Sequence, residues 1–302
     1  MSVTVVISTR NRASVLARCL DHFRRIEDPG CPWEMAVVDN GSTDQTPRVL
    51  EDFARNAPCP FWTLREPIPG ASRSKNLAIG RSSSAIISLV DDDCYVRPDH
   101  LKRILEVFDD PAIGYMGGSV LLYDPQDAPV AICIWDSPRR IPARESFDVG
   151  ILLGANLAIR RVVWEQLGGF DPLLGPGTPV YGAEDADLVE RACDAGWDGF
   201  LNPDCVVYHH HGRKPGPDVR RLRANYCLGD GAVRIKLLLS GREPRPKGSG
   251  CGGDRKRQLK HAYWTLHKLW SQREYRLAGY LLLGAWRYGL ARLRQAIRRR
   301  GA

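Results

Sequence analysis

Three short apolar runs, each stopping abruptly at polar or acidic residues, set the strongest limit on how this chain folds. Residues 3–7 (Val-Thr-Val-Val-Ile), 35–38 (Met-Ala-Val-Val) and 85–90 (Ala-Ile-Ile-Ser-Leu-Val) carry no charge, as expected of parallel strands buried on both faces. Helical signals fall between them. Ser14 is placed to cap a helix whose apolar residues Val15, Leu16, Cys19, Leu20, Phe23 and Ile26 recur at helical spacing. Residues 46–54, 72–79 and 99–108 also read as helices, and 61–64 as a strand. This alternation predicts an α/β fold around a mostly parallel sheet, whose ligands sit at the carboxyl ends of the strands. Those ends carry Thr9-Arg10-Asn11, Asp39-Asn40 and Asp91-Asp92-Asp93, so the polar residues should converge on one crevice.

The second half is less regular. Residues 113–123, 130–135, 150–159 and 206–211 read as strands, and 161–167 and 184–195 as helices. Between the helices, 168–182 is a Gly/Pro-rich loop long enough to be functional. Helical stretches at 219–225 and 232–239 precede a Gly/Pro/basic linker, 241–253, and a Pro-free stretch from 256 to 300 reads as amphipathic helix. The expected organisation is a catalytic body over 1–215, a helical extension and linker over 216–253, and a basic tail over 254–302.

Composition and charge narrow the classes. Of 302 residues, 43% are hydrophobic and 26% charged, which excludes disorder for the bulk. No uncharged run approaches the ~18 residues of a membrane span, and the first residues do not form a signal peptide. Nine cysteines with no C-x-x-C spacing argue against a disulfide framework and suit a reducing cytoplasm. The net charge of +8 is unevenly spread: from Asp254 onward there are 13 Lys/Arg and 2 Asp/Glu. A basic tail on a mildly acidic body points to an anionic surface.

Four groups could carry chemistry. Adjacent carboxylates at a strand end repel one another unless a cation offsets them. Asp91-Asp92-Asp93 therefore suggests Mg²⁺ or Mn²⁺, with a helix cap and solvated side chains as the alternative. Asp39 can accept hydrogen bonds from a ribose or base, or shape an Asx turn with Asn40-Gly41. Glu184-Asp185-Ala186-Asp187 opens a helix, where acids suit the dipole, but one of them could take a proton from a hydroxyl. In His209-His210-His211 successive strand residues face opposite ways, so all three cannot serve one site.

In chain order, these stretches resemble a known family. Val5-Val6-Ile7-Ser8-Thr9-Arg10-Asn11-Arg12, Val37-Val38-Asp39-Asn40-Gly41-Ser42-Thr43-Asp44, Gly70-Ala71-Ser72-Arg73-Ser74-Lys75-Asn76 and Leu89-Val90-Asp91-Asp92-Asp93 come first. Gly154-Ala155-Asn156, Gly168-Gly169-Phe170-Asp171, Tyr181-Gly182-Ala183-Glu184-Asp185-Ala186-Asp187-Leu188 and the histidines follow. Together they resemble an inverting family 2 glycosyltransferase of GT-A fold over roughly residues 1–215. The resemblance implies a nucleotide-sugar donor (a UDP-sugar favoured), Mn²⁺ or Mg²⁺, and a glycan or lipid-linked acceptor, as in polysaccharide biosynthesis. Thr9, Arg12 and Asp39 would hold the base and ribose, with Arg73, Lys75 and Asn76 supporting the nucleotide pocket. Asp91 would face the ribose and metal, with Asp93 the ligand or, one register earlier, Asp92. Asp185 would be the general base, with Glu184 beside it positioning the acceptor. Gly154, Asn156 and Tyr181 would lie on the acceptor side, and His209 or His211 would reach metal or diphosphate. Lys75-Asn76 and Arg10-Asn11 depart from the family's usual Arg-Asn and Tyr-Asn. By the 168–182 loop, Arg213-Lys214 could reach phosphate.

A nucleotidyltransferase would ordinarily need a glycine-rich phosphate loop after the first strand, where this chain has Ser-Thr-Arg-Asn-Arg. A nucleic-acid binder using the tail, with Trp264, Trp270 and Tyr275 among basic residues, would leave the acids unexplained, and no nucleic acid is expected. The tail itself suggests peripheral attachment to the inner face of the cell membrane. Packing of its apolar face on the body or on a second copy is the other reading.

Overall fold

The computed structural model describes residues 1–144, 152–239 and 275–300. The first strands are β1 (Val3–Thr9), β2 (Trp33–Asp39), β3 (Phe61–Arg65), β4 (Ile86–Val90), β5 (Cys94–Val96) and β6 (Ile113–Leu122). They are followed by β7 (Arg139–Ile141), β8 (Asn156–Arg160) and β9 (Asp198–His209). The helices are α1 (Ala13–Phe23), α2 (Thr46–Ala54), α3 (Ala71–Arg81), α4 (His100–Phe108), α5 (Arg161–Leu167), α6 (Glu184–Asp194), α7 (Pro217–Leu239) and α8 (Tyr275–Arg300). The strands form one sheet in the order β3-β2-β1-β4-β8-β6-β9-β5, with β7 on β9. Strands β3, β2, β1 and β4 are parallel, as are β6 and β9, while β8 runs antiparallel between β4 and β6.

Strand residues of alternating parity enter two different cores, as the twofold repeat of a strand demands. Val3, Val5, Ile7, Met35 and Val37 pack with Leu16, Leu20 and Phe23 of α1 and Ile104 and Phe108 of α4. Val6, Ala36, Val38, Ile87 and Leu89 pack on the other face with Ile79 of α3, Val163 of α5 and Leu188 and Val189 of α6. Each fully buried Leu, Ile or Phe contributes about 1.5–3 kcal/mol, so both layers fix the strand register. Ser88, the polar residue within the third apolar run, faces buried His100 at 3.4 Å.

Several expectations are corrected. Residues 130–135 form only a bridge between Val120 and Cys133, because Ala131 takes a left-handed backbone conformation, φ 53°, that interrupts the extended run. The last strand begins at Asp198 instead of 206; a register shift after Gly118 absorbs Pro203. The short strands β5 and β7 carry no alternation signal long enough to read. Residues 217–239 are a single helix, not two. The linker and residues 254–274 of the tail, including Trp264 and Trp270, lie outside the described residues.

Gly229 and Gly231 lie inside the continuous helix α7, where their small size serves helix packing. A Cβ at Gly231 would overlap the Leu281 carbonyl of α8, and one at Gly284 would overlap the Leu228 carbonyl of α7. Ala278, Leu281 and Tyr288 of α8 are buried, and Tyr288 joins Leu174, Val180, Ala232 and Val233 in a third cluster. Part of the tail's apolar face therefore covers the body. Lys236 secures this junction, pairing with Asp171 at 2.8 Å and Asp187 at 2.6 Å.

The same helix offers a controlled test. Gly284→Ala should destabilise the protein by about 1–3 kcal/mol through overpacking, whereas Gly279→Ala, with nothing within 4 Å, should stabilise it by up to about 1 kcal/mol through helix propensity. Chemical denaturation of the two variants checks the sign; equal effects would rule out the close helix approach.

Candidate active site

The parallel register brings the polar strand ends to one level. Thr9 sits opposite Asp39, and Val6 opposite Leu89, which sets Asp92 beside Thr9. Short loops are then tied across the crevice. Asn11 accepts from the Thr43 amide at 2.7 Å, and Asp39 accepts from the Ser42 amide at 2.8 Å. Asn40 donates to the Glu66 and Ile68 carbonyls and accepts from the Gly70 amide, each at 2.8 Å. Asn40 is thus the clamp of the second motif, while Asp39 makes the Asx turn and remains at the crevice.

The carboxylate string is divided among cations from different elements. Arg12 donates to Asp92 and Asp93, both at 2.8 Å, and the Thr9 hydroxyl donates to Asp92 at 2.7 Å. Thr9 and Arg12, expected on the nucleotide, are committed to holding these acids. Burial pushes the Asp92 carboxyl up to about 7, with Arg12 opposing. Asp93 is buried as well, but the His209 imidazole at 3.2 Å and the Arg12 guanidinium outweigh desolvation and hold it well below the usual range. Desolvation lowers His209 and Asp93 more than compensates, so its pKa rises. Asp91 turns to other company: desolvation raises it, and Lys75 is the cation that opposes this most strongly.

Lys75 connects the string to the second acidic group. It pairs with Glu184 at 2.9 Å, both side chains being almost fully buried. Burial alone would lower Lys75, but Glu184, Asp91 and Asp185 together raise it. At the start of α6, Asp185 accepts from the Gly154 amide at 2.7 Å and from the Ala186 amide at 2.8 Å. A Cβ on Gly154 would lie 3.2 Å from Asp185 and 3.4 Å from Lys75, so the glycine lets the backbone approach both. Desolvation and then the Glu184 charge push Asp185 up to about 6. A carboxylate with that value is matched to proton abstraction near neutral pH.

The histidines alternate as strand geometry requires. His209 and His211 approach each other at 5.1 Å between ring centres, while His210 meets the Tyr95 hydroxyl at 2.8 Å. Nδ1 of His211 accepts from the Arg213 amide at 2.9 Å, which puts the proton of the neutral ring on Nε2. Among the described residues that Nε2 is buried without a partner, as is one terminal nitrogen of Arg213. Two unsatisfied donors beside the acidic crevice suit an anion.

Metal ligation narrows accordingly. Asp93, Cys94 and His209 bring ligand atoms within 4.8 Å of one another, whereas Asp91 and His211 stand outside that group. Burial raises the Cys94 thiol far above its ordinary value, leaving a carboxylate and an imidazole. This donor set fits Mn²⁺ or Mg²⁺, and the orphaned His211 and Arg213 donors fit the phosphates that accompany it.

Other expected residues have structural partners. Asn76 donates to the Phe170 carbonyl at 2.8 Å and accepts from the Phe170 amide at 2.9 Å, anchoring the Gly168-Gly169 turn. Asn156 is buried in β8, donating to the Ser119 and Cys205 carbonyls at 3.0 and 2.8 Å, so its amide joins strands and is not presented to an acceptor. Lys214 pairs with Asp124 and Asp127, not with the crevice. Arg73 lies along Gly70, and Tyr181, four residues before Asp185, is 48% exposed. Sequence reading missed Tyr226 of α7, whose hydroxyl is pushed up to about 12 by burial and then by Asp185. Its helix carried no motif to reveal it.

Comparison with known proteins agrees with this arrangement. The model of Glycosyl transferase family 2 matches residues 4–165, and that of Glycosyl transferase family group 2 matches 86–297. Glycosyltransferase AglE of Haloferax volcanii is 26% identical over 78% of this chain and 74% of its own length. Beta-monoglucosyldiacylglycerol synthase of Nostoc sp. is 22% identical over 56% of this chain, a match spanning 38% of that longer protein. Among solved structures, mannosyltransferase PcManGT from Pyrobaculum calidifontis, in complex with GDP-Man and Mn²⁺, superposes with a TM-score of 0.63. That alignment covers 95% of this chain and 86% of the other at 19% identity, a likeness of fold. With a family model matched over more than half its length and the sheet and acidic crevice in place, the chain belongs to glycosyl transferase family 2 and has the GT-A fold.

Proposed function

We propose that this protein transfers a glycosyl group from a nucleotide-sugar to an acceptor hydroxyl with inversion at the anomeric carbon, Asp185 being the general base. The observation that carries the reading is the half-buried Asp185 carboxylate, poised at about 6 and oriented by the Gly154 amide. A hydroxyl is a weak nucleophile at neutral pH, so Asp185 takes its proton as the oxygen attacks the anomeric carbon. The bond from that carbon to the diphosphate oxygen breaks, and the nucleoside diphosphate leaves with the bonding pair. No protein nucleophile is required. Lys75 keeps Glu184 in place beside the base, and Glu184 is available to position the acceptor.

The leaving diphosphate is met by donors already fixed in the chain: Nε2–H of His211 and the guanidinium of Arg213. A divalent ion held by Asp93 and His209 would neutralise the charge that develops there. Arg12 and Thr9 act indirectly, keeping Asp92 and Asp93 in position. Asp39 stands at the base and ribose end of the crevice. A UDP-sugar is the favoured donor and a glycan or lipid-linked hydroxyl the acceptor, which suits polysaccharide or glycolipid assembly at the inner face of a membrane. The similarity of part of this chain to a beta-monoglucosyldiacylglycerol synthase supports a lipid-linked acceptor.

Asp185→Asn should retain donor binding, measured calorimetrically, while kcat falls about 10²–10⁴-fold; near-normal turnover would remove Asp185 from the role of base. Because the base works deprotonated, activity should fall with decreasing pH through about 6. Glu184→Gln removes the neighbouring charge that raises Asp185 and should shift this acid limb to lower pH. A limb that stays put in the variant would assign the titration elsewhere. For the metal, excess EDTA should abolish transfer, and Asp93→Ala should lose Mn²⁺-dependent donor affinity. Full activity of Asp93→Ala alongside an inactive Asp92→Ala would move the ligand by one residue.

A further inference from the structure

Helix α8 carries two apolar faces, and the fold uses one. Ala278, Leu281 and Tyr288 are buried against the body, whereas Leu282, Trp286, Leu293 and Ile297 are 57–63% exposed. At about 100° per residue these four lie within roughly 60° of arc, along some 22 Å of helix. An apolar stripe of this length, with a tryptophan at its centre, is uncommon on a protein surface with no function for it. Arg276, Arg294 and Arg298 are exposed as well and follow on the adjoining side. The helix has seven arginines and no Asp or Glu.

That charge pattern selects the occupant. A second copy packed through the same stripe would oppose two arginine rows with no carboxylate on either helix to offset them. The preceding segment 254–274 is also net basic, so it too would add like charge. An anionic bilayer satisfies both halves of the surface: its headgroup boundary accepts the apolar side chains and its phosphates accept the arginines. Spanning is excluded for this helix, since none among the described residues is long and apolar enough to cross a membrane.

We propose that α8 is an interfacial helix that seats the enzyme on an anionic phospholipid surface. Its attachment to the body gives the seating a consequence. Arg287 donates to the Pro179 carbonyl at 2.9 Å, and the Tyr288 hydroxyl donates to Asp171 at 2.7 Å. Both partners belong to the loop that leads into Glu184 and Asp185. A seated α8 therefore holds the base-bearing loop close to the bilayer, where the hydroxyl of a lipid-linked acceptor is found. This last step rests on the proposed transferase reading and specifies its acceptor; the seating does not depend on it.

The test is flotation of the full chain with vesicles of phosphatidylglycerol and phosphatidylcholine against phosphatidylcholine alone. Binding is expected on the anionic vesicles at low salt and should weaken at least about tenfold at high salt as the charges are screened. A combined Leu282→Ser, Trp286→Ser, Leu293→Ser and Ile297→Ser variant should lose flotation while keeping its UDP-sugar affinity. Should that variant fold poorly, Arg294→Glu with Arg298→Glu, on exposed positions, should show the same loss. Absence of flotation, equal binding to neutral vesicles, or binding unchanged in the variants would overturn the proposal. So would light scattering that shows a wild-type dimer turned monomeric by the serine variant. Vesicle binding is read without turnover, so loss of transfer activity with intact flotation would indict the transferase reading alone.

Discussion

Acidic side chains cannot be gathered inside a protein unless cations are buried with them, and the crevice depends on meeting that condition. Asp91, Asp92 and Asp93 enter from β4, and Glu184 and Asp185 from α6. Arg12, immediately after β1, grips two of the first group, and Lys75 on α3 reaches Glu184 while acting on Asp91 and Asp185. Both cations come from the N-terminal half, yet one of the acidic groups lies more than 100 residues away along the chain from its partner. The Lys75–Glu184 pair therefore ties the N-terminal half of the fold to the helix that opens with the second acidic group. Removing one partner of such a buried pair typically costs about 3–5 kcal/mol, because the other charge is left in low dielectric.

The same distribution of cations gives identical side chains different chemistry. Asp93 has an arginine and a histidine against it and stays ionised far into the acid range. Asp185 is desolvated and has the like charge of Glu184 beside it, which Lys75 and the Gly154 and Ala186 amides only partly offset, and so it is pushed up to about 6. One carboxylate is suited to permanent charge, as ligand or electrostatic partner. The other is suited to gaining and losing a proton. Environment, not residue type, separates the two roles.

The parallel half of the sheet was legible because its signals are local: an apolar run, a polar stop and a helical repeat recur within some thirty residues. Chain order then placed Asp185, Glu184, Gly154, Lys75 and the carboxylate string in one crevice. What sequence could not provide was the direction of each hydrogen bond. Asn76 and Asn156 stand in suggestive motifs, but an amide fits a gap between backbone carbonyls as readily as it fits a ligand, and only the fold decides which it meets. Arg12 and Thr9 illustrate the same limit: their position beside Asp92 follows from the β1–β4 register, which no local pattern encodes. Tyr226 was invisible because its helix approaches Asp185 only through tertiary packing. The gap between the two expected helices, 226–231, closes for the same reason: Gly231 sits within one helix and lets α8 approach.

That packing explains why the C-terminal helices matter to a crevice whose acids all lie before residue 190. Tyr181 and Ala183 adopt left-handed backbone conformations, φ 59° and 67°, on either side of Gly182. Side-chain-bearing residues rarely hold such angles unless their surroundings impose them. The surroundings here are α7: a Cβ on Gly229 would come within 3.0 Å of Ala183 and 3.1 Å of the Gly182 backbone. Helix α7 is in turn held by α8 through the Gly231 and Gly284 approaches, and by Lys236 across to Asp171 and Asp187. The turn that aims Asp185 is thus not set by its own residues. It is pressed into shape from behind, and a body cut short before α7 would keep its carboxylates but lose the wall behind the turn that leads into Asp185.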